Sequence, residues 1–163
     1  MKTKKPLLFT EIQGIKATPV PTENFDIKIY QDKIDDMKRS SDKYDGVGIA
    51  SVQIGIWDSI LIAKRSLDYT QYSVFFNPRI IDQSMETGIV VEGCLSIPKV
   101  QMPVSRHKWI TVEYFDGKEI VTEKVDGFLA VVLQHEIAHL EGRTLFDDTV
   151  LNREQKRKIF KRF

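Results

Sequence analysis

One cysteine, Cys94, is all that this sequence has for sulfur chemistry. No internal disulfide framework can form from it, and a reducing compartment is the natural setting. Long apolar runs are missing as well. The stretch Phe128–Leu133 stops at Gln134, far short of the ~18 residues that a membrane-spanning helix needs. The basic opening Met1–Lys5 is followed by Pro6 and then only Leu7, Leu8 and Phe9, too few apolar residues for a signal-peptide core. Charge of one sign is also lacking. With 24 Lys+Arg against 23 Asp+Glu the net charge is +1, which excludes a whole-molecule electrostatic grip on nucleic acid and leaves only local patches. Internal repeats, low-complexity tracts and Pro/Gly-rich linkers are absent too.

What remains is enough for one real core. The chain has 163 residues, 42% of them apolar and 29% charged, a balance that excludes wholesale disorder and suits one domain. We expect a single domain over residues 1–163, soluble and cytoplasmic. Pro6, Pro19 and Pro21 make residues 1–25 read as an extended arm rather than a folded element. From Asp26 to Ser41, Ile27, Tyr30, Ile34 and Met37 recur at helical spacing, with charged residues between them, predicting an amphipathic helix. Five β-like runs follow: Ser59–Ala63, Val74–Asn77, Ile89–Val91, Trp109–Phe115 and Ile120–Val125. Asp116-Gly117 is a hairpin signal that favours antiparallel pairing. Phe128 to Leu140 then reads as a helix, with Asp126 placed to cap it and Gly142 where it ends. Asn152, with Gln155 three residues on, predicts a last helix. The fold class expected is α+β: antiparallel strands packed around a central helix, with an amphipathic helix before them and a basic helix at the end.

The sharpest chemical signal is His135-Glu136-Ile137-Ala138-His139. Histidines at i and i+4 share one helical face, so both imidazoles can reach one ion. Glu136 is rotated about 100° from His135, offset from the ligand pair yet near enough to reach a water on a metal. Such a centre needs about three protein ligands and one open position. For the third ligand, His107 lies between Arg106 and Lys108 and reads as solvated. Cys94, in Glu92-Gly93-Cys94-Leu95-Ser96, is the better candidate because a metal readily deprotonates a thiol. On composition alone, though, a lone cysteine is more often a small buried hydrophobe. The third segment is Gly46-Val47-Gly48-Ile49-Ala50-Ser51-Val52-Gln53. Its paired glycines suit a turn or a close backbone approach, and it fails as a phosphate loop.

Taken in order, these three segments resemble the signature motifs of the peptide deformylases: Gly-φ-Gly-φ-Ala-Ala-Pro-Gln, Glu-Gly-Cys-Leu-Ser and Gln-His-Glu-φ-Asp-His-Leu, with φ apolar. The resemblance spans roughly Asp26 to Val150. It implies a hydrolase that removes the N-formyl group from the starting methionine of new polypeptides. It further implies that Cys94, His135 and His139 bind one divalent metal, usually Fe(II), with Zn, Ni or Co as substitutes. Glu136 is implied as general base and acid, and the Gln53 amide and Leu95 backbone N–H as oxyanion donors. Val47, Phe128, Val131 and Val132 match the methionine pocket, and Gly48 a backbone position that pairs with the peptide. The partners implied are N-formylmethionyl nascent peptides.

Three departures accompany the resemblance. Ser51 and Val52 replace Ala and Pro, which would loosen the segment holding Gln53. Ala138 replaces an Asp whose implied partner is a basic residue matching Arg106, so that Arg106 needs another carboxylate, with Glu92 the candidate. The arm lacks the family's Pro-Asp-Pro-x-Leu opening. Two rival readings stand beside the deformylase: a zinc endopeptidase, suggested by HExxH alone, and a catalytically silent binding protein of the same shape. Finally, Arg153, Lys156, Arg157, Lys158, Lys161 and Arg162 form a basic terminal helix over 152–163, either a solvated face or a contact to ribosomal RNA.

Overall fold

The computed structural model describes residues 3–163; Met1 and Lys2, where the arm and the basic opening begin, lie outside the described residues. Its frame is a five-stranded antiparallel sheet in the order β1-β2-β3-β6-β7. The strands are β1 (Gly48–Ala50), β2 (Ile60–Lys64), β3 (Tyr72–Gln83), β6 (Trp109–Phe115) and β7 (Ile120–Asp126). A separate two-stranded ribbon pairs β4 (Thr87–Cys94) with β5 (Ile97–His107). The helices are α1 (Phe9–Ile12), α2 (Lys28–Lys43), α3 (Gly127–Leu140), α4 (Leu145–Asp148) and α5 (Arg153–Phe160).

Strand alternation decides how these pieces stack. Along β2, Leu61 and Ala63 join the cluster that packs under Leu129, Leu133 and Ile137 of α3. Ile60 and Ile62 point the other way, to Tyr30, Ile34 and Met37 of α2. Successive residues in a strand leave opposite faces, so one sheet is buried on both sides by two helices. In β6, Ile110, Val112 and Tyr114 are buried while the residues between them are half-buried, the predicted alternation. The third layer is the β4–β5 ribbon, which lies across the other side of α3. There Gln134 takes the place of a neighbouring strand: its Oε1 accepts the His107 N–H at 2.9 Å and its Nε2 donates to the His107 carbonyl at 3.1 Å. Asn77 does the same for Val20, with both bonds at 2.7 Å, from a left-handed backbone (φ 50°) that Asn tolerates.

Several expectations need correcting. The arm is not merely extended: Phe9 and Ile12 are fully or almost fully buried on the single-turn α1. Phe9 forms a small core with apolar side chains of β5 and α4. The Leu7 and Phe9 N–H groups bond to the Gln53 and Ser96 carbonyls at 2.7 and 3.0 Å, so the arm fastens two of the motif segments from behind. Asp126 sits at the start of α3 but makes no capping bond with its side chain. Ile27 precedes α2 and is exposed, because the helix begins one residue later. His107 is half-buried rather than solvated, its Nδ1 2.6 Å from the Ser84 carbonyl. Ser51 and Val52 do not loosen their segment. They form a 3-10 turn (Ser51–Ile54) in which Val52 is fully buried and the Ser51 hydroxyl donates to the Asp58 carbonyl at 2.5 Å. The strand β5 has no counterpart among the five predicted runs, because prolines at 98 and 103 interrupt its pattern. At the far end, Asn152 caps α5 as expected, its Oδ1 accepting the Gln155 N–H while Gln155 Oε1 accepts that of Asn152, both at 2.9 Å.

Candidate metal centre

The site forms where the ribbon meets α3. Cys94 ends β4, and the tight turn through Leu95 and Ser96 leads into β5, placing the sulfur against the helix. On α3, His135 and His139 lie one turn apart, with Nε2 atoms 3.1 Å from each other. Cys94 Sγ is 3.3 Å from His139 Nε2, and one donor atom from each of the three residues lies within 4.8 Å of the others. One sulfur and two imidazole nitrogens at this spacing fit a single tetrahedral cation with one position left over. Their outer nitrogens are held as ligand histidines need them to be. His135 Nδ1 is 2.9 Å from Glu92 Oε2, and His139 Nδ1 is 3.1 Å from the Arg143 carbonyl.

Buried charge surrounds this cluster. Burial alone would raise the pKa of Glu92, but the Arg106 guanidinium, bound through two parallel bonds of 2.7 and 2.8 Å, and His135 outweigh it and bring it to about 2. Arg106 therefore has the carboxylate expected for it, and a second one in Asp148 at 2.9 Å. Burial also opposes the Cys94 thiolate, yet His139 and His135 together pull its pKa well below the ordinary thiol value. For His135, burial disfavours the imidazolium, while Cys94 and Glu92 overcome this and raise its pKa well above 6.5. Uptake of a cation by thiol and imidazole ligands releases protons. Glu136 moves upward through burial, which outweighs the neighbouring histidines. Its Oε2 is buried with no hydrogen-bond partner among the described residues, an acceptor left without a donor.

A cleft of about 990 Å³ opens beside these groups. Val47, Gly48, Gln53, Leu95, Phe128, Val131, Val132 and Glu136 all border it, so the structure brings together every residue singled out in the sequence. Helix α3 divides its work: Leu129, Ala130 and Leu133 serve the core, while Phe128 and Val131 are half-buried at the cleft. Gln53 is buried beneath it, its Oε1 accepting the Ala50 N–H at 2.9 Å and its Nε2 lying 3.2 Å from Ser96 Oγ and 3.6 Å from Cys94 Sγ. Gly48 is a forced choice. A Cβ there would meet Val132 Cγ1 at 2.9 Å and Glu136 Oε1 at 3.2 Å, pressing on the carboxylate that the site needs.

The model of a known family, polypeptide deformylase, matches residues 7–156. The chain belongs to the polypeptide deformylase family. Among curated relatives, the peptide deformylase of Rhizobium meliloti (strain 1021) is 38% identical over 149 residues, covering 89% of this chain and 84% of its own. That of Bartonella quintana (strain Toulouse) is 39% identical over 146 residues, covering 88% and 82%. The crystal structure of peptide deformylase from Thermotoga maritima superposes with a TM-score of 0.82 at 31% identity, covering 93% of this chain and all of that one. Deformylases are metal-dependent enzymes that remove N-formyl groups from nascent peptides. This membership displaces the endopeptidase and the silent binding protein as readings of the chain.

Two residues that reach the histidines and Arg106 give no signal in the sequence. Arg143 reads only as a charge after the Gly142 helix stop, and the carbonyl that it offers His139 leaves no trace in residue type. Asp148 sits beside Asp147, which caps Thr144, and nothing in the sequence tells the two apart.

The charge network makes a pH prediction. The Glu92 pKa is lowered from 4.5 to about 2, so its contribution, about 3 kcal/mol, is complete above pH 4.5 and is lost as pH falls toward 2. In urea unfolding of metal-free protein, the gap between wild type and Glu92→Gln should shrink by about 2 kcal/mol from pH 7 to pH 3. A gap that stays constant would mean that Glu92 carries no such charge.

Proposed function

We propose that Cys94, His135 and His139 hold the deformylase's cation and that Glu136 moves the protons of N-formyl hydrolysis. The observation that carries this reading is the convergence of a cysteine sulfur and two imidazoles beside a buried carboxylate oxygen with no hydrogen-bond partner among the described residues. A divalent cation held there supplies Lewis acidity, acidifying a water and polarising the formyl oxygen. Glu136, raised by burial, accepts the water's proton and returns it to the departing amine. The Gln53 side-chain amide and the Leu95 backbone N–H, from residues that line the cleft, would donate to the charge that grows on the formyl oxygen. Thiolate and imidazole ligation suits several first-row metals; Fe(II) is the family's usual choice, with Zn, Ni or Co able to replace it.

The substrate reading follows from the walls. Val47, Phe128, Val131 and Val132 offer an apolar slot for the methionine side chain. Strand β1, which carries Gly48, is the outermost strand of its sheet, and an open edge is where an extended peptide can pair by main-chain bonds. A cytoplasmic setting accords with the single free cysteine. Among the described residues, no helix is long and apolar enough to cross a membrane.

Formate release from formyl-Met-Ala-Ser tests the proton roles. Glu136→Gln should cut the rate by about 10²–10⁴-fold with metal content unchanged; a near-normal rate would remove Glu136 from the chemistry. For α5 we infer contact with ribosomal RNA. None of its residues is fully buried, while Phe160 and Phe163 stack edge-on against Phe9 at 5.2 and 5.5 Å and fix the helix to the body. Its cations are thus presented on an anchored surface. Ribosome binding should weaken steeply with added salt and be lost in Arg153→Glu/Arg157→Glu/Lys161→Glu. Binding unchanged by the triple variant would leave α5 as a solvated face.

A further inference from the structure

We propose that Asp148 and Arg143 are positioning residues for the metal site, closing a ring of hydrogen bonds that fixes both imidazoles together. The inference rests on the reading of Cys94, His135 and His139 as ligands. The ring can be followed atom by atom. His135 Nδ1 meets Glu92 Oε2 at 2.9 Å, and the two Glu92 oxygens receive Arg106 Nε and Nη2 at 2.7 and 2.8 Å. The remaining arm of Arg106, Nη1, donates to Asp148 Oδ2 at 2.9 Å. The other oxygen of Asp148 accepts from Arg143 Nη1, and the Arg143 backbone carbonyl faces His139 Nδ1 at 3.1 Å. The His135 and His139 Nε2 atoms, 3.1 Å apart, complete the circuit as the two nitrogens that a cation would join, not as donor and acceptor.

Each member has a physical reason to be there. Arg106 is only 6% exposed, and a buried guanidinium with a free edge is costly. Glu92 can take two of its donor groups in a parallel pair; Asp148 takes the third and stops the guanidinium from turning away from Glu92. Ala138 lines the same narrow gap as Arg106, His135, His139, Arg143 and Asp148, and its methyl group supplies no charge. Asp148, reaching in from α4, is therefore the carboxylate that completes the balance around Arg106. Arg143 adds a second function. Its side chain ties to Asp148 and to Glu141 and its N–H to the Ala138 carbonyl at 2.9 Å, holding rigid the turn whose carbonyl orients His139. An ion pair of so exposed an arginine does little for folding; its consequence lies in where the carbonyl points. Partners one step removed from the ligands typically change metal affinity by about 10–100-fold.

The test reads the metal rather than turnover. Cobalt(II)-loaded wild type, Asp148→Asn, Asp148→Ala and Asp147→Asn are compared by visible ligand-field spectrum and by cobalt loss to a chelator. Thermal unfolding of each metal-free protein runs alongside. Asp147 caps the Thr144 N–H at 2.7 Å, so Asp147→Asn loosens α4 without touching the ring. Both Asp148 variants should lose cobalt about 10–100-fold faster with shifted bands, and Asp147→Asn should match wild type in both. Should Asp148→Ala fail to fold, the isosteric Asp148→Asn carries the result. Wild-type retention and spectrum in a folded Asp148 variant would overturn the proposal, as would an equal loss in Asp147→Asn. Formate release by the wild type is measured separately: its failure would count against the catalytic reading while the cobalt comparison still decides the ring.

Discussion

A thiolate at a hairpin turn and two imidazoles on a helix must meet across an interface, and the rest of the molecule keeps that interface in register. The sulfur belongs to the β4–β5 ribbon and the nitrogens to α3, so neither unit owns the site. Gln134 pins the helix to the end of β5 by bonding both backbone groups of His107. Glu92 and Arg106, one on each strand of the ribbon, pair with each other and hold His135. These contacts sit among strong buried charges, which contribute less to folding than their number suggests because burying them costs desolvation. Their value is geometric: they leave the ligands few other arrangements.

The supporting layers serve the same end. The sheet presses on α3 through the side chains opposite to those that receive α2, so the helix is fixed along its apolar face while its polar strip turns to the ribbon. Behind the site, Leu7 and Phe9 tie the Gln53 and Ser96 backbones together. Gln53 and Leu95 therefore face the cleft from a braced wall, which is what donors aimed at a developing charge require. The cleft is bordered by Gly48 of β1, the outermost strand of its sheet.

Much of the arrangement could be read from residue order. Two histidines four apart on a helix, a cysteine after a strand and a glycine pair are local patterns, and local periodicity carried α2, α3 and most strands. What stayed hidden were contacts distant in sequence. Pro98 and Pro103 masked β5, whose pairing with β4 is decided by partners rather than by propensity. The buried role of Phe9 was invisible because an isolated aromatic between prolines looks like arm. Ser51 and Val52 appeared to weaken their segment, yet a hydroxyl bond to Asp58 and full burial of the valine secure it. Ala138 read as a loss of charge, and only the fold reveals that Asp148 brings a carboxylate to Arg106 from another helix.

The claim beneath all of this is that one cation is gripped by sulfur and two imidazoles. X-ray absorption at the edge of the metal in the zinc-loaded protein measures it directly. The account predicts one sulfur near about 2.3 Å with two imidazole nitrogens at about 2.0–2.1 Å, the sulfur shell vanishing in Cys94→Ser. A bound metal with only nitrogen and oxygen neighbours in the wild type would contradict it.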